Sequence, residues 1–230
     1  MSLRDESGRP DVVDLPQLDL KSVIQAMGSP LLSMHPSWYE GMEHQVLVKK
    51  ILDSSIDEMV LHDALSSEFP WLRQMSGELG IEGWPCHLLI LPVEKLVTFA
   101  VLTGCWIASR SLRCAVTRRE HRLVTQALGH QVYEFVIRRS EFIGADLANV
   151  TVSLDDATAD AVRAEILRLG CQALHCCLVR YAPEIHFRIL SRLPKVDIAT
   201  SHAAHRRQLE GAFEAYPYAI QRIYLETLAK

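Results

Sequence analysis

An arginine-rich segment, residues 110–139, holds the side chains of this 230-residue chain that are best suited to binding chemistry. Its two acids are Glu120 and Glu134, and its seven arginines are Arg110, Arg113, Arg118, Arg119, Arg122, Arg138 and Arg139. Guanidinium groups donate hydrogen bonds from a planar fork, which suits carboxylate and phosphate groups. Three interpretations remain: a solvated helix face, a surface for a protein partner and a DNA-binding surface.

Two predicted helices that meet at Gly129 give this segment some likeness to a helix-turn-helix. The recognition helix would be 131–139, which is mostly apolar and aromatic and offers few groups that read base edges. The whole chain has 24 Lys and Arg against 28 Asp and Glu, whereas general nucleic-acid binders carry a basic excess. We therefore predict no nucleic-acid partner, and a helical DNA-binding regulator is the alternative function.

Cysteine and histidine cluster late in the chain, at Cys171, His175, Cys176 and Cys177. Cys171 and His175 share one face of a predicted helix, but successive residues such as Cys176 and Cys177 point about 100° apart. A structural zinc site needs four converging ligands, and the chain has no CxxC pair or second ligand loop to supply them. The pattern predicts no metal site. All six cysteines are expected to be free thiols buried in a helical core.

The known motifs for catalysis and for cofactor binding are missing from the sequence. It has no GxSxG nucleophile elbow, no GxxxxGK[ST] phosphate loop and no GxGxxG dinucleotide motif. Cys86 and His87 are neighbours, but they lie in a leucine-rich run, where a buried and inert thiol is expected. We therefore predict no catalytic residue, no cofactor and no enzyme activity.

An aromatic pair, Trp38 and Tyr39, follows a proline-containing linker. Exposed aromatic side chains are frequent hot spots of protein interfaces, so this pair is a second candidate partner-binding site. The alternative is that both rings pack as a lid on a helical core.

The elements around these residues are predicted to be helical, because apolar side chains recur at helical spacing and few segments alternate with period two. Thr117 and Glu120 have the spacing of a capping box, and Gly129 has that of a C-cap. Asp155 and Asp156 would open a long helix, because acids favour the first turn. The predicted later helices span 93–113, 157–181, 183–190, 201–215 and 217–229.

Only residues 86–91 leave the secondary structure open. They are strongly apolar and lie between Pro85 and Pro92, and periodicity cannot distinguish a short strand from a buried helical turn. The predicted fold class is all-α, a single multi-helix globular domain. A short extended segment at 86–91 is the alternative for those residues.

Charge and hydropathy divide the chain further. Residues 1–19 carry five acids and little periodicity, which predicts a flexible acidic N-terminal arm before a single helical domain at 20–230. Residues 1–70 have a net charge of −7, whereas 110–139 have +5. The most apolar stretch has 13 residues, fewer than the ~20 that span a bilayer, and no targeting signal precedes it. The chain is therefore expected to be cytoplasmic, without membrane insertion.

The order of these segments resembles a known family. Residues 88–139 read LLILPVEKLVTFAVLTGCWIASRSLRCAVTRREHRLVTQALGHQVYEFVIRR. This run is similar to the central part of the SctK family of bacterial type III secretion systems, which includes YscK, PscK and NolU proteins. The likeness lies in an apolar helix after Leu-Pro, Gly104 near its end, an arginine-rich turn, a helix that ends in Leu-Gly, and VYEFVIRR. Residues 169–194, LGCQALHCCLVRYAPEIHFRILSRLP, resemble the later pattern of the family.

The resemblance implies a non-enzymatic adaptor of the cytoplasmic sorting platform beneath the injectisome. Such a protein links the cytoplasmic domain of the inner-membrane ring protein SctD to the SctQ pod, and through it to SctL and the SctN ATPase. It is then peripheral at the cytoplasmic face of the bacterial inner membrane. The resemblance carries no catalytic residue over to this chain.

Overall fold

The computed structural model of the chain describes residues 34–40, 85–115, 117–138, 150–179, 181, 183–195 and 217–229. Within these ranges all regular secondary structure is helical, which confirms the predicted all-α class. The predicted arm at 1–19 and the helix at 201–215 lie outside the described residues. The division into one arm and one helical domain stays a prediction.

The described residues form a short 3-10 helix, Pro36–Trp38, and eight α-helices. In chain order these are α1 (Pro85–Leu89), α2 (Val93–Ile107), α3 (Ser109–Arg113), α4 (Arg118–Leu128), α5 (His130–Arg138), α6 (Ala159–Leu178), α7 (Pro183–Leu190) and α8 (Pro217–Ala229).

These elements belong to two compact units. The larger unit contains α3, α4, α5 and α8, with α2 from Val97 onward and α6 up to Cys177. The smaller unit contains the 3-10 helix, α1 and α7.

In the larger unit, α2 and α6 pack backbone to backbone at two glycines. A Cβ atom placed on Gly104 of α2 would lie 2.0 Å from the carbonyl oxygen of Ile166. One placed on Gly170 of α6 would lie 1.8 Å from the carbonyl oxygen of Ala100. Real Cβ atoms do not approach so closely, so only glycine permits this crossing. Around it α2 is buried on nearly every face, as its apolar sequence predicts.

Two long predicted helices have different limits in the structure. The helix predicted at 93–113 is two helices, because the backbone turns at Ala108. Beyond the turn, the Ser111 hydroxyl donates to the Val152 carbonyl and accepts from the Val152 N–H. The helix predicted from residue 157 begins at Ala159 instead. Its N-terminal N–H groups bond to Thr158, and Asp156 lies before the helix with a φ of 51°.

The extended alternative for residues 86–91 is wrong, because Pro85–Leu89 is helical and all five residues are buried. The Arg192 guanidinium closes this short helix by donating to the carbonyls of Leu88 (3.4 Å), Leu89 (3.0 Å) and Leu91. Burial lowers the pKa of Arg192, and the nearby Glu94 carboxylate partly offsets that effect. A half-buried cation therefore satisfies carbonyls that a strand would have offered to a neighbour.

We expect Gly104→Ala to destabilise the protein, although alanine is the better helix former by about 1 kcal/mol. The added methyl group meets the Ile166 carbonyl, and overpacking of this kind costs about 1–3 kcal/mol or more. Urea unfolding followed by circular dichroism measures the change. A variant as stable as the parent, or more stable, would contradict the close crossing.

Arg192→Ala should lower the free energy of unfolding by about 1–3 kcal/mol, because it leaves buried helix-end carbonyls without their donor. The control is Arg222→Ala, at an exposed arginine whose ion pair with Glu226 is long at 4.0 Å. We expect a shift of less than about 0.5 kcal/mol in that control. Equal effects of the two substitutions would show that the carbonyl cluster contributes nothing.

Candidate functional site

The helix α4 separates its side chains into two faces. Val124, Ala127 and Leu128 are buried, and Arg118 and Arg122 are exposed on the opposite side. Arg118 and Arg122 are four residues apart, so they are neighbours in one row along the helix. Arg119 is exposed beside that row. We call Arg118, Arg119 and Arg122 the arginine face.

Both ends of α4 are held in place. At its start the predicted capping box is confirmed: the Glu120 N–H donates to the Thr117 hydroxyl (3.2 Å), and the Thr117 N–H donates to the Glu120 carboxylate (2.9 Å). At its end the predicted cap Gly129 is also confirmed, with a φ of 80°. There the Arg163 guanidinium of α6 donates to the Ala127 carbonyl at 3.3 Å. The arginine face thus lies on a well-anchored helix.

One member of the arginine face has an acidic partner within the chain. The Arg119 guanidinium lies 3.3 Å from the Asp156 carboxylate, and both side chains are mostly exposed, at 74% and 96%. Pairs so open to water stabilise a fold by at most about 1 kcal/mol. Asp156 has the left-handed backbone conformation that Asp and Asn tolerate better than most residues. The turn before α6 therefore holds a carboxylate against the arginine face.

The neighbouring helix α5 adds an apolar edge to this surface. Phe135 and Val136 are buried, whereas Ile137 is 40% exposed. The Tyr133 ring meets the His121 ring of α4 edge to face, with centroids 4.9 Å apart. Tyr133 and Ile137 are one turn apart on α5, so they extend the surface beyond the charged row.

A cleft of about 890 Å³ lies against the outer side of α4. Its described lining consists of the arginine face together with His121, Leu123, Thr125 and Gln126. These last four residues were missed by the sequence prediction. Their spacing of three or four residues from Arg118 and Arg122 could have placed His121, Thr125 and Gln126 on the same side of α4.

The other arginines predicted for partner binding have different surroundings. Arg110 is exposed on α3, and Arg113 is half-buried with its guanidinium donating to the Ser109 carbonyl at 3.4 Å. Arg138 is exposed and lies 3.6 Å from Glu134, one turn earlier on α5. Arg139 lies outside the described residues. Three of the seven predicted arginines thus lie on one helix, α4.

The aromatic pair belongs to the smaller unit. Tyr39 is buried, and the Trp38 indole N–H donates to the Leu193 carbonyl at 2.8 Å. The Trp38 ring also meets Phe187 edge to face, and the Lys195 ammonium lies 5.9 Å from its centre. These contacts favour the packing interpretation for both rings, and they leave only part of Trp38 at the surface.

Five of the six thiols are buried, but Cys114 is exposed, so its predicted burial is wrong. It follows the last residue of α3, where the apolar face of that helix has ended. Burial raises the pKa of Cys171 to about 12 and also raises the pKa of Cys86. Within the described ranges no three His, Cys, Asp or Glu side chains are placed to hold a metal ion. No helix in those ranges is long and apolar enough to cross a membrane.

Comparison of the chain with models of protein families, with curated proteins and with solved structures gave no match.

We predict that one thiol per native molecule reacts with Ellman's reagent at pH 8. Cys114 is accessible, whereas Cys171 stays protonated and is shielded by packing. Cys114→Ser should abolish the fast reaction, and denaturant should expose all six thiols of the wild type. Rapid reaction of the Cys114→Ser variant would contradict the described burial.

Proposed function

We propose that this chain is a non-enzymatic adaptor of the sorting platform of a bacterial type III secretion injectisome. It would link an SctD-like inner-membrane ring protein to an SctQ-like pod, and through the pod to SctL and the SctN ATPase. It would act at the cytoplasmic face of the inner membrane. The proposal begins from the likeness of residues 88–139 and 169–194 to the SctK family.

The observation that carries the proposal is the arginine face on α4. Its side chains are exposed, whereas the helix beneath them is capped at both ends and packed through Val124, Ala127 and Leu128. Exposed charges in a fixed arrangement raise the rate of encounter and select a partner of complementary charge. An adaptor needs such a surface, because it must join its partners in one orientation.

The alternative function is a DNA-binding regulator with α5 as its recognition helix. The side chains of α5 give it less support than the adaptor has. The exposed side chains of α5 are His130, Gln131, Ile137 and Arg138, and the half-exposed Glu134 pairs with Arg138. The Glu134 carboxylate beside Arg138 would repel a phosphate that approaches this helix, which disfavours DNA. An exposed isoleucine is better suited to an apolar protein contact.

We expect reversal of the arginine face, Arg118→Glu with Arg119→Glu and Arg122→Glu, to weaken binding to an SctQ-like or SctD-like partner about tenfold or more. Arg118 and Arg119 lie in the first turn of α4, where acids are favourable, and all three side chains are exposed, so the triple variant should stay folded. Co-purification of the full chain with each partner, followed by titration, measures the effect.

Two controls accompany this titration. Lysine at the same three positions keeps the charge that orients the partner and should retain binding within about threefold. Arg222→Gln removes an exposed charge on α8, outside the arginine face. Unchanged binding of the triple glutamate variant to both partners would overturn the role of the arginine face. Retention of duplex DNA by the wild type, lost in the triple variant, would favour the regulator instead.

A further inference from the structure

The arginine face has a regular spacing that restricts what can occupy it. Arg118 and Arg122 are four residues apart on one helix, so their Cα atoms are separated by about 6 Å along the helix axis. Carboxylates four residues apart on a second helix have the same separation. Two helices laid side by side could therefore pair both arginines with both carboxylates.

The surroundings of the arginine face favour a partner with patterned charge over a uniform polyanion. Glu120, Glu134 and Asp156 lie on the same pair of helices or on the turn before α6. Duplex nucleic acid carries a charge about every 1.7 Å, so some phosphates would meet these acids. A protein helix can place its acids opposite the arginines and uncharged residues opposite the acids of this surface.

Tyr133 and Ile137 indicate what those other residues should be. Ile137 is 40% exposed, and Tyr133 joins α5 to α4 through its contact with His121. An apolar side chain of the partner that packs on this edge would supply affinity, while the charges set the register.

We infer that the arginine face binds an acidic amphipathic helix of a partner protein, and that Asp156 acts as its internal competitor. In the free chain the Asp156 carboxylate holds Arg119 at 3.3 Å, in the position that a partner carboxylate takes on binding. Displacement is easy because both side chains are open to water. The inference rests on the proposed adaptor function only for the identity of the partner.

The probe is a synthetic helical peptide with glutamates at i, i+4 and i+8 and leucines along the adjacent face, labelled for fluorescence anisotropy. A peptide of the same composition with its glutamates moved out of that spacing is the matched control. We expect the full chain to bind the ordered peptide about tenfold more tightly, because only that peptide meets both Arg118 and Arg122. Binding should weaken as salt is added.

Asp156→Asn is the decisive variant, because asparagine tolerates the same left-handed backbone and removes the competing charge. It should tighten peptide binding about two- to fivefold by releasing Arg119. The same substitution in an Arg119→Gln background should have a much smaller effect, since only the general repulsion between Asp156 and the acidic peptide is then removed. A purely structural role of the Arg119–Asp156 pair would not produce this dependence.

The inference is overturned if the two peptides bind equally, if Arg118→Glu with Arg122→Glu leaves peptide binding unchanged, or if Asp156→Asn acts independently of Arg119. It is also overturned if duplex DNA, or vesicles that contain one third anionic lipid, compete with the peptide at lower concentration. Circular dichroism melts establish that each variant is folded.

Failure of the proposed function would look different. The chain would then co-purify with neither an SctQ-like nor an SctD-like partner, while its binding to the synthetic peptide and the Asp156 dependence could both persist. Conversely, co-purification that the arginine substitutions do not alter would retain the adaptor and reject this surface.

Discussion

The close approach of α2 and α6 at Gly104 and Gly170 is the constraint on which the larger unit depends. A carbonyl oxygen of each helix occupies the space that a side chain on the other helix would need. A Cβ atom on Gly104 would lie 2.0 Å from one carbonyl oxygen, and a Cβ atom on Gly170 would lie 1.8 Å from the other. Contact at this separation buries the neighbouring side chains of both helices, including Leu102, Ile166 and Ala173. The Phe99 ring of α2 also meets the Tyr224 ring of α8 at 6.5 Å, so a third helix depends on the same position of α2.

The arginine face depends on this packing through α6. That helix donates from Arg163 to the Ala127 carbonyl at the end of α4, and the turn before it supplies Asp156 to Arg119. The surface charges are thus held by a helix that is itself fixed in the core. The buried side of α4 limits its movement further, since Val124, Ala127 and Leu128 are enclosed. A charged face with this support has a defined geometry, which charge alone on a mobile segment would lack.

The helix limits that were predicted at the correct residue are those set by side chains and backbone groups at the helix end itself. Thr117, Glu120 and Gly129 set the limits of α4 through hydrogen bonds and a backbone conformation within a few residues of each terminus. Pro183–Leu190 and Pro217–Ala229 have the predicted limits because a proline begins each of them. Two of the limits that were not predicted involve distant groups, whereas α6 begins at its local cap, Thr158. Val152 bonds Ser111 beyond the break at Ala108, and Arg192 closes α1 from more than 100 residues away.

The sequence by itself therefore determined the helical class, the capped ends and the concentration of arginines in one segment, because composition, periodicity and caps act over short separations. Tertiary structure alone decided that Asp156 pairs with Arg119, that Tyr39 is enclosed and that Cys114 is exposed. Burial and long-range pairing depend on how the helices pack. No pattern within one helix records which neighbour covers it.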